Sequence, residues 1–203
     1  ARFYAVPFFD TIVFSDATNV PFTWDGAAGA GGLVALTNAP VAYGQPVVYY
    51  SKLFLVKNIE RDTIVWSEEG AANTGYEAGG YNNAWSLPGT KGEPVVALAA
   101  RNDSLGVIRP RSTTVIQGAV NDAFQTTGTR AAVSERIGTG SPGGVLVLDE
   151  GTIILDSDGR PQYWPAGGGY AEAPSMWQDC VASIADIPRG NLDVTQIMYD
   201  PNL

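Results

Sequence analysis

The sequence predicts a mainly β fold, an antiparallel β-sandwich or barrel with long loops and one or two short helices. Three observations carry that prediction. Short runs rich in Val, Ile, Thr and Tyr recur along the 203 residues, and such residues fit the pleated, half-buried surface of a strand. Clusters of Gly, Pro, Asn and Asp stand between the runs, each supplying backbone geometry that a turn needs. The chain also holds 24 glycines and 13 prolines, well above the usual share of about 12% for that pair, so it turns many corners. At this length a single β-rich domain spanning residues 1–203 can bury a substantial core.

The first fourteen residues, ARFYAVPFFDTIVF, carry five aromatic side chains: Phe3, Tyr4, Phe8, Phe9 and Phe14. A free tail of that composition would aggregate, so burial is expected. Residues 1–15 either lie on the domain's own core or form an extended N-terminal arm that reaches into a neighbour. Pro7 has no amide hydrogen and is expected to break regular pairing, while TIVFS (11–15) reads as a strand. In WDGAAGAGG (24–32) glycine and alanine permit either tight backbone approach or plain flexibility, and the run lacks the Lys-Ser/Thr ending of a phosphate-binding loop. PVVYYSKLFLVKN (46–58) reads as one long β run, and NIERD (58–62) turns it into DTIVWS (62–67).

Residues 68–93 show neither strand nor helix pattern. Irregular stretches beyond about 12–15 residues are uncommon and usually functional or disordered. This one carries Tyr76, Tyr81 and Trp85, which marks it as an ordered contact loop. PVVALAAR (94–101), LGVIRP (105–110) and STTVIQG (112–118) are strands, with RNDSLG (101–106) joining the first two as a hairpin. TGTRAAVSERIG (127–138) is compatible with a helix stopped by its last glycine. GGVLVLD (143–149), GTIILD (151–156) and RPQYW (160–164) form two hairpins, turned at Asp149–Gly151 and Asp156–Gly159. The unbroken apolar runs VLVL and TIIL predict strands covered on both faces. PSMWQDCVASIADIP (174–188) places apolar residues at 176, 177, 180, 181 and 184, one face of a helix with Ser175 as N-cap. LDVTQIMY (192–199) closes the set as a strand.

Composition excludes several chemistries. No histidine is present, which removes Ser-His-Asp and Cys-His catalysis and every His-ligated metal. Cys180 is the only cysteine, so neither an intrachain disulfide nor a zinc cage can form; it reads as a small buried side chain. The net charge of −9 speaks against nucleic acid, since Arg101, Arg109 and Arg111 are too few for a phosphate track. No apolar run approaches the roughly 20 residues of a membrane span, and the first ten residues lack a signal-peptide pattern. Ala1 fits either a start trimmed of its methionine or a cleaved precursor.

Asp156, Asp158 and Gly159 resemble a fragment of a calcium loop, yet position 167, where a closing glutamate would stand, is glycine. Acids at a hairpin corner explain the stretch better. No metal, cofactor or catalytic residue is therefore expected.

Acidic, free of histidine, low in charge, rich in Gly, Ala, Thr and Asn, with β runs and long aromatic loops, the chain resembles virion structural proteins of tailed bacteriophages in its overall character. Head decoration (cement) proteins and tail components are of this kind. The resemblance implies a non-catalytic subunit, made in the host cytoplasm and resident in the virion, whose partners are identical copies and other virion proteins. Phe3, Tyr4, Phe8 and Phe9 would anchor one contact, and Tyr76, Tyr81 and Trp85 another, because a few buried aromatics dominate most interfaces. Two further readings use the same loop. In a carbohydrate-binding β-sandwich, Trp85, Tyr81 and Tyr76 would stack on a host surface glycan. In a glycoside hydrolase, two of Glu68, Glu69, Glu77 and Glu93 would face each other across a sugar.

Overall fold

The computed structural model describes residues 3–27, 32–75, 84–86, 93–101, 103–120, 129–166 and 171–172. These fold into four antiparallel sheets, each a meander of four strands in chain order. The first sheet is β1 (Tyr4–Phe8), β2 (Thr11–Ser15), β3 (Phe22–Trp24) and β4 (Leu33–Ala35). The second is β5 (Ala42–Tyr49), β6 (Lys52–Lys57), β7 (Thr63–Trp66) and β8 (Ala84–Ser86). The third is β9 (Ala97–Ala100), β10 (Ser104–Ile108), β11 (Thr113–Gln117) and β12 (Thr129–Ser134). The fourth is β13 (Val145–Leu148), β14 (Gly151–Leu155), β15 (Pro161–Pro165) and β16 (Ala171–Glu172). The fold is mainly β and sandwich-like, with no closed barrel among the described residues.

The sheets stack face to face in chain order, and period-two alternation explains how. On β6 and β7, Leu53, Leu55 and Val65 point one way and join Phe8, Val13 and Leu36 of the first sheet. Phe54, Val56, Ile64 and Trp66 point the other way, against Leu98, Leu105, Val107 and Ile116 of the third sheet. Phe54 and Trp66 stack there with ring centroids 5.6 Å apart. A third cluster joins Ala97, Ala99, Ile108 and Val115 to Ile154 and Trp164 of the fourth sheet. Both faces of the second and third sheets are thus buried, which accounts for their nearly unbroken apolar runs.

The first strands of successive sheets lie next to one another, β1 by β5, β5 by β9 and β9 by β13. At this shared edge β5 bulges between Tyr43 and Val47. Gly44 there takes φ +73°, its carbonyl accepts from Ser15 Oγ, and Pro142 of a 3-10 turn (Pro142–Gly144) packs over it. A side chain at 44 would meet both strain and Pro142.

Several sequence expectations change here. Residues 46–58 are not one strand: β5 and β6 form a tight hairpin through Tyr50 and Ser51, at φ +47° and +59°. Such two-residue loops normally use Asn-Gly or Asp-Gly, and neither residue announces the turn. The segment expected to be helical at 127–138 contains β12, paired along β11 from Thr129 to Ser134; β-branched Thr129 and Val133 and a neighbouring open edge outweigh its weak helical pattern. Pro7 does not break pairing. It sits opposite Ile12 in an uninterrupted register on an edge strand, where no amide hydrogen is required of it. The run TIIL is buried throughout, but VLVL is not, and Val147 is exposed. The helix expected at 174–188, with Cys180, and the strand at 192–199 lie outside the described residues.

The Tyr49 hydroxyl donates to the Gly118 carbonyl at 2.8 Å, tying the second sheet to the turn after β11. Burial pushes this phenol far above the usual tyrosine range, with the charges of Tyr50 and Asp103 adding to it. A raised folded pKa favours the neutral form. The associated stability is therefore fully present below the ordinary tyrosine pKa of about 10 and lost as pH rises above it. Melting temperature should fall more steeply above about pH 10 in the native chain than in Tyr49→Phe; parallel curves for the two would refute the link.

Candidate interaction surface

Two features of the first sheet stand apart from the buried stack. One is the tip of the β1–β2 hairpin, formed by Phe9 and Asp10. Phe8 points inward and is 3% exposed, in contact with the core shared by the first two sheets. Phe9 points outward and is 64% exposed, at φ +51°. Glycine is the usual residue at such a position, so the fold carries local strain to hold a bare ring in the open. Backbone strain of this kind collects at functional sites. Phe8 supports the displayed ring edge-on at 4.9 Å, and Thr11 Oγ1 closes the turn by donating to the Phe8 carbonyl at 2.9 Å.

Beside this tip lies an open groove of about 430 Å³, lined by Phe8, Phe9, Thr23, Val34 and Leu36 on one side and Gly70–Thr74 on the other. The far wall is well tied. Gly70 N donates to the Ser51 carbonyl, Glu68 N to the Thr74 carbonyl, and Asn38 bonds twice to Asn73 at 3.1 and 3.0 Å. The groove is largely apolar, with Asp10 and Asn73 at its margin.

The other feature is the face of the first sheet turned away from the second. Register places Ala5, Phe14, Phe22 and Ala35 in one row across the four strands, and Pro7, Ile12, Trp24 and Leu33 in the next. Phe14 and Phe22 stack at 5.3 Å, which confirms that the alternating residues share a face. Trp24 directs its indole hydrogen to the Ala27 carbonyl, so its polar atom is satisfied and its ring remains as apolar surface. None of the eight is buried.

The residues singled out from sequence are thus divided. Phe3 and Phe9 are exposed, Tyr4 is half-buried, and Phe8 belongs to the chain's own core. Phe8 cannot anchor a contact with another molecule, because its ring is already covered. Residues 4–15 are a hairpin of the first sheet, which places them on this chain's own core, not in an extended arm. Trp85 is not a loop residue: it pairs with Ile64 in β8 and packs on the core between the second and third sheets. Tyr76, Tyr81 and Glu77 lie outside the described residues. Of the other acids, Glu93 accepts a hydrogen bond from Ser112 Oγ.

Asp156 caps its corner, accepting from the amides of Asp158 and Arg160, and Gly159 takes φ +82°. Among the described residues no group of three or more Asp, Glu, His or Cys is placed to hold a metal, and no helix is long and apolar enough to cross a membrane. Arg101 and Arg109 are engaged inside the fold. Arg101 bonds Thr152 and lies over Trp164, and Arg109 is buried against Thr114.

Sequence reasoning missed Ile12, Phe22, Trp24 and Leu33 as surface. Their signal was present in the alternation of TIVFS and FTW, but it is indistinguishable from that of a buried strand until the neighbouring layer is known. No protein-family model matches this chain, and no curated protein matches its sequence.

Proposed function

We propose that the chain is a non-catalytic structural subunit that assembles with identical copies and neighbouring proteins of a tailed-bacteriophage virion, as a head decoration or tail component. One observation carries the assembly reading. The large apolar side chains most exposed among the described residues are Phe3, Phe9, Leu33, Val34, Tyr50, Ile59 and Val147, and the first four belong to the first sheet or its border. Scattered exposed apolar residues are ordinary, but concentration on one element marks a contact. The virion setting rests on the whole-chain character: low charge, abundant Gly, Ala, Thr and Asn, and no histidine.

The contact works by desolvation. Phe9 is braced edge-on against Phe8, so less side-chain freedom is lost when a partner covers it, while Phe3 lies at the opposite end of β1. Sedimentation of the full chain over a concentration series should show reversible or stable oligomers. Phe9→Ser should weaken that association at least about tenfold while leaving the melting temperature nearly unchanged, since a displayed interface aromatic commonly carries more than about 1 kcal/mol. A chain that stays monomeric at high concentration would refute the assembly.

A further inference from the structure

The outer face of the first sheet calls for an occupant of a definite kind. Within the stack, each internal sheet face is apolar and is covered by the next sheet. The outer face of the first sheet has the same character, yet nothing in the described fold covers it: Ala5, Pro7, Leu33 and Ala35 are exposed, and Ile12, Phe14, Phe22 and Trp24 are only half-buried. Layered folds normally end in a polar face. This end is apolar across all four strands, and soluble monomers rarely leave a large contiguous apolar patch open.

We infer that this face is a two-fold contact with the same face of a second copy of the chain. The inference rests on the assembly reading and names the surface. Three observations select the occupant. First, the eight positions carry no charge, in a chain of net charge −9. Two copies can therefore meet here without bringing carboxylates together, whereas a basic peptide or nucleic acid would find nothing to pair with.

Second, a head-to-tail stack would need open apolar side chains in the middle of the fourth sheet's outer face, and those of β14 are already buried. Thr152 and Ile154 point toward the third sheet, so Ile153 and Leu155 point away from it, and they are 5% and 4% exposed. Third, the face suits its own image. Bulky Ile12, Phe14, Phe22 and Trp24 occupy the two middle strands, and Ala5, Pro7 and Ala35 the edges, where Leu33 is the one large side chain. Two copies offset by a strand can set the ridge of one beside the low margin of the other, in the face-to-face packing usual for sheets. A self-matching patch closes at two.

The test uses the Phe9→Ser chain, in which the contact at the hairpin tip is weakened and the outer face is intact, because Phe9 leans over the groove toward Gly70. Sedimentation velocity should show a species that saturates at the dimer. Adding Leu33→Glu and Ala35→Glu, both at exposed edge positions, should raise the dimer dissociation constant by 100-fold or more. Val34→Glu, on the same strand but facing the groove, should leave it within threefold. Circular dichroism would confirm that each variant keeps its strand signal.

A wild-type chain that assembles while the Phe9→Ser chain is monomeric overturns the two-fold face and leaves the assembly standing. A wild-type monomer overturns both. Growth beyond the dimer in the Phe9→Ser chain replaces the two-fold contact with a head-to-tail one. A monomer whose melting temperature drops sharply with Leu33→Glu puts the face against its own chain.

Discussion

Replacing Gly138 by alanine is expected to destabilise the fold by about 3 kcal/mol, at the upper end for an overpacked site. The reason is what a methyl group would meet. A Cβ at this buried position falls inside the van der Waals envelope of the Arg109 carbonyl oxygen, 2.8 Å from the carbonyl carbon and 2.9 Å from Ser112 N. All three are backbone atoms of the β10–β11 turn. They are held there: Arg109 N donates to the Ser112 carbonyl, Thr139 N donates to the Arg109 carbonyl, and Thr113 Oγ1 donates to the Ile137 carbonyl. A long side chain could swing aside from a new methyl group, but this hairpin can yield only by giving up some of those bonds. Urea unfolding of Gly138→Ala against the native chain measures the cost; a difference under about 1 kcal/mol would mean that the segment 137–139 shifts freely.

The contrast between Gly138 and Tyr50–Ser51 shows how far the sequence could be read. Strands were legible wherever turn residues bounded them. Thr11–Ser15, Thr63–Trp66 and Gly151–Leu155 lie within the predicted runs because Gly, Asp or Asn stands at their ends. The β5–β6 hairpin was hidden because its two loop residues adopt positive φ without being glycine or asparagine, a choice imposed by the sheet on both sides of it. β12 was hidden for a related reason, since its pairing with β11 overrides a helix-compatible sequence.

The fourfold repeat of meanders was invisible in residue identities. First strands begin at 4, 42, 97 and 145, at unequal intervals, so only the hydrogen-bonding plan recurs. The candidate surface was legible in part. Clustered aromatics pointed to the N-terminal hairpin, but only burial separates Phe8, which faces the core, from Phe9, which does not. Which face of a strand meets solvent is a property of the layers around it, and a one-dimensional pattern cannot supply it.

Trp164→Ala should cost about 4 kcal/mol, within the usual range for a buried tryptophan. The indole is 3% exposed and fills the space between the third and fourth sheets, beside Ala97, Ala99 and Ile154. It lies directly on β10 at Gly106, where a Cβ would come within 2.6 Å of the ring. On its other side the Arg101 guanidinium sits 4.0 Å from the ring centroid and also donates to the Trp164 and Pro165 carbonyls. Truncation therefore removes buried area, opens a cavity and strips Arg101 of its aromatic partner, a contact that contributes about 1 kcal/mol on its own.

Gly106→Val should be damaging for the opposite reason, because its side chain would occupy the place of the indole. The pair makes a stringent test. If the two residues share one volume, the isopropyl group introduced by Gly106→Val fills part of the cavity left by Trp164→Ala. The combined loss in unfolding free energy of the double variant then falls short of the sum by more than about 1 kcal/mol. Strict additivity would mean that the indole does not rest on β10, and that the third and fourth sheets are held together elsewhere.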